Sequence, residues 1–382
     1  MPPSAPTVIA DALWTAAQRQ AAKLHEISYR ACFKPQLPAY FIARHTQPGD
    51  VVYDPFSGRG TTAIEAALSG RRVIANDINP LSARLAAPRL AVPDIEAVEA
   101  RLACVPKTST RGSGTDLSMF FQSQTLQEIL GLRDWLYDRR ARGAADALDG
   151  WIGMVATNRL TGHSPGFFSV YSMPPNQAVT AARQVLINQK RQQVPSYRDT
   201  HALILKKSRQ LLRGLTATQR AHLQAAGDTA LFLTGDARST PQIADGCVAL
   251  TVTSPPFLDV IDYAGDNWLR GWFNSLPVAE IAAAMTLPRT VAEWSAVMAA
   301  VMAELFRITR PGGVVAFEVG EVKKGSIKLD EVVVPLGVAS GFTAEAVLIN
   351  TQRFTKTAHI WGVANNAVGT NSNRIVVFRK PG

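Results

Sequence analysis

The chain has 382 residues, 47% hydrophobic and 18% charged with a formal net charge of +10, the composition of a globular protein of two or three domains or of one domain with a large insertion. No apolar run approaches a membrane span and the amino terminus has no basic region ahead of an apolar core, so a cytoplasmic protein with no membrane partner is expected. Cys32, Cys104 and Cys247 lack paired or metal-type spacing and the six histidines form no HExxH pattern, so no metal centre is expected.

Residues 11–27 read as an amphipathic helix, followed by Lys34-Pro35-Gln36-Leu37-Pro38 and a second helix over 38–46. Pro48-Gly49-Asp50 turns the chain into a strand, Val51 to Asp54. The glycine-rich run Pro55-Phe56-Ser57-Gly58-Arg59-Gly60-Thr61-Thr62 then opens a helix, Ala63 to Ser69. Gly70 suits the position just past that helix, and Arg72 to Asn76 forms a second strand that ends at Asp77. This is a βαβ start. From about residue 98 the pattern becomes helical, with segments at 123–142, 147–160, 176–193 and 199–213, the last two capped by Asn176 and Asp199. An aromatic, proline-rich loop, 163–175, separates the second from the third. Strand-and-helix alternation resumes at 230–234, which leads into Gly235-Asp236-Ala237, and at the apolar run 248–252. Helices at 264–274 and 290–309, a strand at 314–318 and two apolar strands at 343–349 and 374–379 complete the chain. The expected fold is a doubly wound, mostly parallel α/β sheet of Rossmann-like type with an antiparallel edge hairpin. Residues 28–97 and 228–382 form its core, residues 98–227 a helical insertion and residues 1–27 an N-terminal helix.

The charge is confined to the insertion. Residues 1–100 hold 10 Lys+Arg against 9 Asp+Glu and residues 228–382 hold 13 against 14, whereas residues 101–227 hold 17 against 7. Localised positive charge is the footprint of a polyanion-binding surface, although a solvated basic face gives the same count. Arg139, Arg140 and Arg142 cluster, as do Lys190 with Arg191, and Lys206 and Lys207 with Arg209. Phe167, Phe168 and Tyr171 either wedge into a base stack or pack the insertion onto the core.

Two motifs carry chemistry. A strand, the glycine loop 54–62 and a helix make a nucleoside-cofactor site, because glycine lets backbone approach a ligand and the helix amino terminus favours negative groups. Asp77, at the end of the next strand, lies where an acid binds ribose hydroxyls. The glycine spacing is not G-x-G-x-x-G, which argues against a dinucleotide. The second motif, Thr253-Ser254-Pro255-Pro256-Phe257, follows the strand 248–252. Two prolines stiffen this loop and keep its carbonyls out of any helix. A hydroxyl, fixed carbonyls and an aromatic ring suit a flat base with an amino group.

Together, DPFSGRGTT, NDINP (76–80), GDA (235–237) and TSPPF resemble the amino-group DNA methyltransferases, over roughly residues 30–90 and 228–382. The resemblance implies S-adenosyl-L-methionine as cofactor and double-stranded DNA as partner, with a cognate restriction endonuclease where the enzyme serves restriction. Asp54, Phe56, Gly58, Gly60 and Thr61 would surround the methionine and ribose. Asp77 would hold the ribose hydroxyls, Ile78 would pack near the adenine, and Asp236 with Ala237 would meet its amino group. Lys34 and Pro35 would close the methionine pocket. Ser254, Pro255, Pro256 and Phe257 would hold a flipped-out base. Serine at 254 points to N4 of cytosine, with N6 of adenine as the rival. An RNA target, a protein amide or a non-catalytic nucleic-acid-binding role are further alternatives. Arg59 stands where the family has a small residue, so it points outward or touches the cofactor carboxylate or DNA. Arg139, Arg140, Lys190, Arg191, Lys206 and Lys207 are the candidate DNA-contacting cations. Asp259, Asp262 and Asp266 suit helix capping better than a metal, Tyr263 and Arg270 line the base path or the core, and residues 355–372 form a second candidate DNA loop.

Overall fold

The computed structural model describes residues 6–11, 21–173, 175–256, 263–285, 288–322, 327–351 and 372–382. Its strands are β1 (Thr7–Asp11), β2 (Val51–Asp54), β3 (Arg72–Asp77), β4 (Leu231–Thr234), β5 (Val248–Thr253), β6 (Thr309–Val319), β7 (Glu321–Val322), β8 (Ile327–Lys328), β9 (Thr343–Thr351) and β10 (Ser372–Arg379). Eight of them form one sheet in the order β1-β9-β10-β6-β5-β2-β3-β4, while β7 and β8 pair by themselves. Strands β6, β5, β2, β3 and β4 run parallel, and β10 runs antiparallel to both β6 and β9.

The helices are α1 (Gln36–His45), α2 (Thr61–Leu68), α3 (Leu81–Ala86), α4 (Ile95–Ala103), α5 (Ser123–Ala141), α6 (Ala147–Thr157), α7 (Ala181–Arg191), α8 (Thr200–Leu212), α9 (Ala217–Gly227), α10 (Tyr263–Asp266), α11 (Trp268–Phe273), α12 (Val278–Ala284), α13 (Val291–Ile308) and α14 (Leu329–Ala339).

The doubly wound form follows from strands that are apolar on both faces. All six residues of β5 are buried. Val52, Val314, Ala316, Ile375 and Val377 join one hydrophobic cluster, and their neighbours Tyr53, Val315, Phe317, Val376 and Phe378 join another. That period-2 division puts helices on both sides of the sheet. The first cluster continues through Leu132 and Leu136 of α5, Trp151 and Val155 of α6, and Ile204 and Leu211 of α8, so these helices share the core of one sheet face. Trp151 Nε1 donates to Ser208 Oγ at 3.0 Å and ties α6 to α8.

Residues 12–20 of the amino-terminal helix expected over 11–27 lie outside the described residues. On either side of them, Thr7–Asp11 is a strand that pairs parallel with β9, and Lys23–His25 is a single 3-10 turn. Two β-branched residues, Val8 and Ile9, favour extended backbone, and the open flank of β9 pairs with it. The antiparallel hairpin forms as expected, with β1 added outside it. Asn176 caps nothing: α7 starts at Ala181, and the Thr180 hydroxyl accepts from the Arg183 amide. The segment before it is drawn inward instead, where Gln177 accepts from Arg30 and the Ala178 amide donates to the Asp266 carbonyl. Asp199 does cap α8, accepting from Ala202 N at 2.9 Å. Helix α14, which holds Pro335 in its interior, has no sequence expectation behind it.

Trp151 is fully buried at the junction of insertion and sheet. Trp151→Ala is expected to lower stability by about 3–5 kcal/mol in one cooperative transition. Chemical denaturation followed by far-UV circular dichroism checks this; two separate transitions would show that the helices fold apart from the sheet.

Candidate functional site

In this sheet β2 leads to β3 on one side, while β5 lies on the other side of β2, so the strand order reverses between β2 and β5. The carboxyl ends of strands at such a switch point are where open α/β sheets bind ligands. Both sequence motifs start there, the glycine loop from β2 and the Thr-Ser-Pro-Pro loop from β5.

Two hydrogen bonds lock these loops together. Thr253 Oγ1 donates to Asp54 Oδ1 at 2.7 Å, and Thr62 Oγ1 donates to the Val252 carbonyl at 2.9 Å. Asp54 is 1% exposed and its Oδ1 also accepts from the Phe56 amide at 3.1 Å, so it braces the turn out of β2. Burial is the main reason its carboxyl is pushed up to about 7. The turn closes at Gly60, whose φ of +77° lies in the left-handed region. A Cβ there would sit 2.5 Å from the Ala86 Cβ, so only glycine fits between the loop and α3.

The cavity above these loops holds about 1180 Å³ of empty space, its open mouth included. Phe56, Ser57, Gly58 and Thr61 from the glycine loop and its helix, Asp77, Ile78 and Asn79 from the end of β3, and Asp236 and Ala237 beyond β4 all line it. Ser254 and Pro256 border the same space. The Asp77 carboxylate accepts from the Gly58 amide at 2.8 Å and the Asn79 amide at 2.9 Å, one bond on each oxygen. Each oxygen keeps a lone pair for a further donor. Burial pushes this carboxyl up to about 6, against the lowering effect of the two amides. Ser57 Oγ is buried in the wall with no hydrogen-bond partner, a polar group that a polar ligand would satisfy.

Several expected residues are placed elsewhere. The segment that walls the cavity upstream is Tyr29 to Phe33, not Lys34 and Pro35, which stand at the entry to α1. Arg59 turns away from the cavity and donates to the carbonyls of His25, Ile27 and Phe33, clamping that segment in place. Asp236 is engaged by the Arg238 guanidinium, which bonds both of its oxygens. Phe257, Asp259 and Asp262 lie outside the described residues, as do residues 355–371 and the Tyr263 side chain. Asp266 receives Arg30 at 2.6 Å.

Trp294 and Glu318 carry no motif in the sequence. Trp294 Nε1, on α13, donates to the Pro256 carbonyl at 3.0 Å and pins the loop after Ser254. Thr253 pairs with Phe317 across β5 and β6, which sets Glu318 beside Ser254. The Glu318 carboxylate accepts from Asn373. Burial pushes it up to about 7, and Asn373 and the neighbouring Ser254 side chain pull in the opposite direction. A charged residue inside the otherwise apolar run Val314 to Val319 was the available signal.

The candidate DNA-contacting cations divide. Lys190, Arg191 and Lys206 are exposed, with Arg191 3.7 Å above the Tyr171 ring. Arg139 is bonded to Asp149 at 2.6 Å, and Arg140 is half-buried, its guanidinium held below its usual range by burial and by nearby Arg84. Lys207 is 6% exposed and ion-paired with Glu26. Phe167 and Phe168 are buried and pack the insertion loop onto the core, and Arg270 is buried as well. Among the described residues no group of three or more His, Cys, Asp or Glu could hold a metal ion, and no helix is long and apolar enough to cross a membrane.

Residues 7–87 match the N6/N4 methyltransferase family model, described as DNA methylase. A 68-residue segment is 40% identical to the Type II methyltransferase M.MjaII of Methanocaldococcus jannaschii; it is 18% of this chain and 13% of that relative. Among solved structures, a SAM-dependent methyltransferase of Methanosarcina mazei superposes with a TM-score of 0.34 at 11% identity, over 89% of this chain and 97% of that one. TTHA0409 of Thermus thermophilus, described as a DNA modification methylase, gives 0.24 at 24% identity over 39% and 51%.

Gly60→Ala is expected to cost about 1–3 kcal/mol, since the new methyl must displace α3; the urea midpoint measures it. The contribution of the raised carboxyls to the pH dependence of stability has a definite sign. Asp54, Asp77 and Glu318 bind protons more tightly folded than unfolded, so the stability they contribute is present below the unfolded carboxylate values and is lost as pH rises through about 6 to 7. Burial holds His25, His45 and His201 down, which acts in the opposite sense, so the measurement is the difference between wild type and Asp54→Asn. Between pH 5 and pH 8 the denaturation midpoint of Asp54→Asn should fall less, or rise more, than that of wild type; an identical pH dependence in the two would contradict the burial argument.

Proposed function

We propose that this chain transfers a methyl group from S-adenosyl-L-methionine to the exocyclic amine of a base in DNA, with N4 of cytosine as the target. What supports the reading most is a single juxtaposition: Asp77, the glycine loop and Ser254 open onto one cavity at the switch point. The DNA methylase match over residues 7–87 covers the glycine loop and Asp77.

The residues fit the cofactor. Asp77 would take the ribose hydroxyls on its two free lone pairs, with Ile78 against the adenine. Asp236 would accept from the adenine amino group once Arg238 yields. Ser57, Gly58 and Thr61 would face the methionine portion. When bound, the cofactor supplies an electrophilic methyl on a sulfonium that needs no acid to depart.

The work of this chain is then to present the amine. Its lone pair is delocalised into the ring and must be turned toward the methyl. With its hydroxyl proton turned to the neighbouring Glu318, Ser254 would keep its oxygen free to accept an amine hydrogen. The Pro255 carbonyl takes the other hydrogen, while Trp294 holds the Pro256 carbonyl and fixes the loop. Such preorganised acceptors act on the charge that develops at nitrogen. The methylated amine carries a surplus proton, which passes by way of the Ser254 oxygen to Glu318, whose carboxyl sits near 7. Serine at 254 is the ground for cytosine over adenine.

The protein, mixed-sequence duplex DNA and labelled cofactor, followed by digestion to nucleosides, test this directly. N4-methylcytosine is expected; N6-methyladenine would move the target, and label only in RNA or protein would overturn the reading. Ser254→Ala should lower turnover about 10²- to 10³-fold with cofactor affinity kept. Asp77→Ala should instead weaken cofactor binding, by about 10- to 100-fold in Kd by calorimetry. Full activity in both variants would remove the site assignment.

A further inference from the structure

Across the Tyr29 segment from the cofactor cavity lies a second cleft of about 730 Å³, open solvent included. Tyr29 lines both spaces. The cleft wall carries three cations, Arg59, Arg159 and Lys207, and one acid, Glu26. Glu26 is already divided between Lys23 at 2.9 Å and Lys207 at 3.6 Å, and it also receives the Gln210 amide. Among the described residues Arg159 donates to the carbonyls of Asn158 at 3.0 Å and Gly166 at 3.5 Å, with its guanidinium 4.0 Å above the Phe167 ring. Arg59 likewise meets carbonyls and a hydroxyl rather than a carboxylate.

Two guanidinium groups with no carboxylate partner among the described residues therefore share one cleft with a nearly buried ammonium. Burial, then the Arg159 charge, holds Lys207 down to about 8, and burial with the Arg270 charge holds Arg159 down to about 10. Like charges gathered in a partly desolvated space repel one another unless an anion enters between them.

We propose that this cleft binds a phosphate group, contributed by a nucleic-acid backbone or by a free phosphate. Planar guanidinium forks and a point-charge ammonium on neighbouring walls match a tetrahedral oxyanion. The backbone is the favoured source, because a phosphodiester here would run one residue's thickness from the cavity that receives the base. That preference rests on the proposed function; the phosphate chemistry does not.

The test uses the full chain with inorganic phosphate and, separately, a duplex oligonucleotide. Arg159→Gln, Lys207→Gln and their double variant are compared with Lys206→Gln, the exposed neighbour. In thermal unfolding at matched ionic strength, phosphate against chloride should raise the wild-type midpoint with saturation. That response should be lost in the double variant and kept in Lys206→Gln. In DNA titrations the slope of log K against log salt should fall by about 0.9 for each cation removed from a backbone contact.

A lost phosphate response with an unchanged DNA slope keeps the site and assigns it to free phosphate; a reduced slope assigns it to the backbone. If the variants match wild type in both measurements, the proposal is overturned. Should Arg159→Gln fail to fold, Lys207→Gln carries both measurements alone, since Glu26 retains Lys23. Neither readout needs methyl transfer, so a protein that responds to phosphate yet methylates no DNA would lose the proposed function and keep this site.

Discussion

The hydrogen bond from Thr253 to the buried Asp54 carboxylate joins the two halves of the site. It links the carboxyl ends of β5 and β2, the neighbours between which strand order reverses, and so sets the distance between the glycine loop and the Ser-Pro-Pro loop. The Thr62 bond to the Val252 carbonyl repeats the link one layer down, from helix to strand. Everything that follows in space, from Asp77 to Ser254, is placed relative to this pair. A buried carboxylate that is both hydrogen-bonded and raised in pKa is a rigid brace whose strength depends on protonation, which ties the geometry of the site to pH.

Around that brace the chain uses backbone amides and arginines more than ion pairs. Asp77 is held by two amides, leaving its outer lone pairs free. Arg59 and Arg89 satisfy carbonyls of the segment that walls the cavity and of the glycine loop itself, so the wall is stitched to the loop by cations that meet no carboxylate there. This is why the surroundings of Tyr29 are positively charged on the side away from the cofactor cavity. The excess charge seen in the insertion is only partly available. Arg101, Arg111 and Arg139 are neutralised locally by Asp146, Asp138 and Asp149.

Much of the site was legible in the sequence because its determinants are local. Glycines with positive φ, a proline-stiffened loop and an acid at a strand end are fixed by bonding within a few residues, and the β5 run is buried on both faces wherever it pairs. Trp294 and Glu318 were not legible. Each reaches the Ser-Pro-Pro loop from far along the chain, Glu318 by strand register and Trp294 by helix packing; Trp294 leaves no pattern in its own segment, and Glu318 only a lone charge in an apolar run.

The sequence by itself determined the alternation of apolar strands and helices, the glycine turn that only glycine can make, and the acids and hydroxyl at strand ends. These follow from backbone sterics and period-2 burial, which act over a few residues. Only the tertiary structure decided which of these groups meet. It added residues 7–11 as an edge strand, because β9 offered unpaired backbone that they could satisfy. It turned Arg59 away from the cofactor cavity, put Glu318 against Ser254, and buried Lys207 in a cleft with Arg159 while leaving Lys206 in solvent. Those outcomes depend on contacts tens or hundreds of residues apart, where packing overrules local preference.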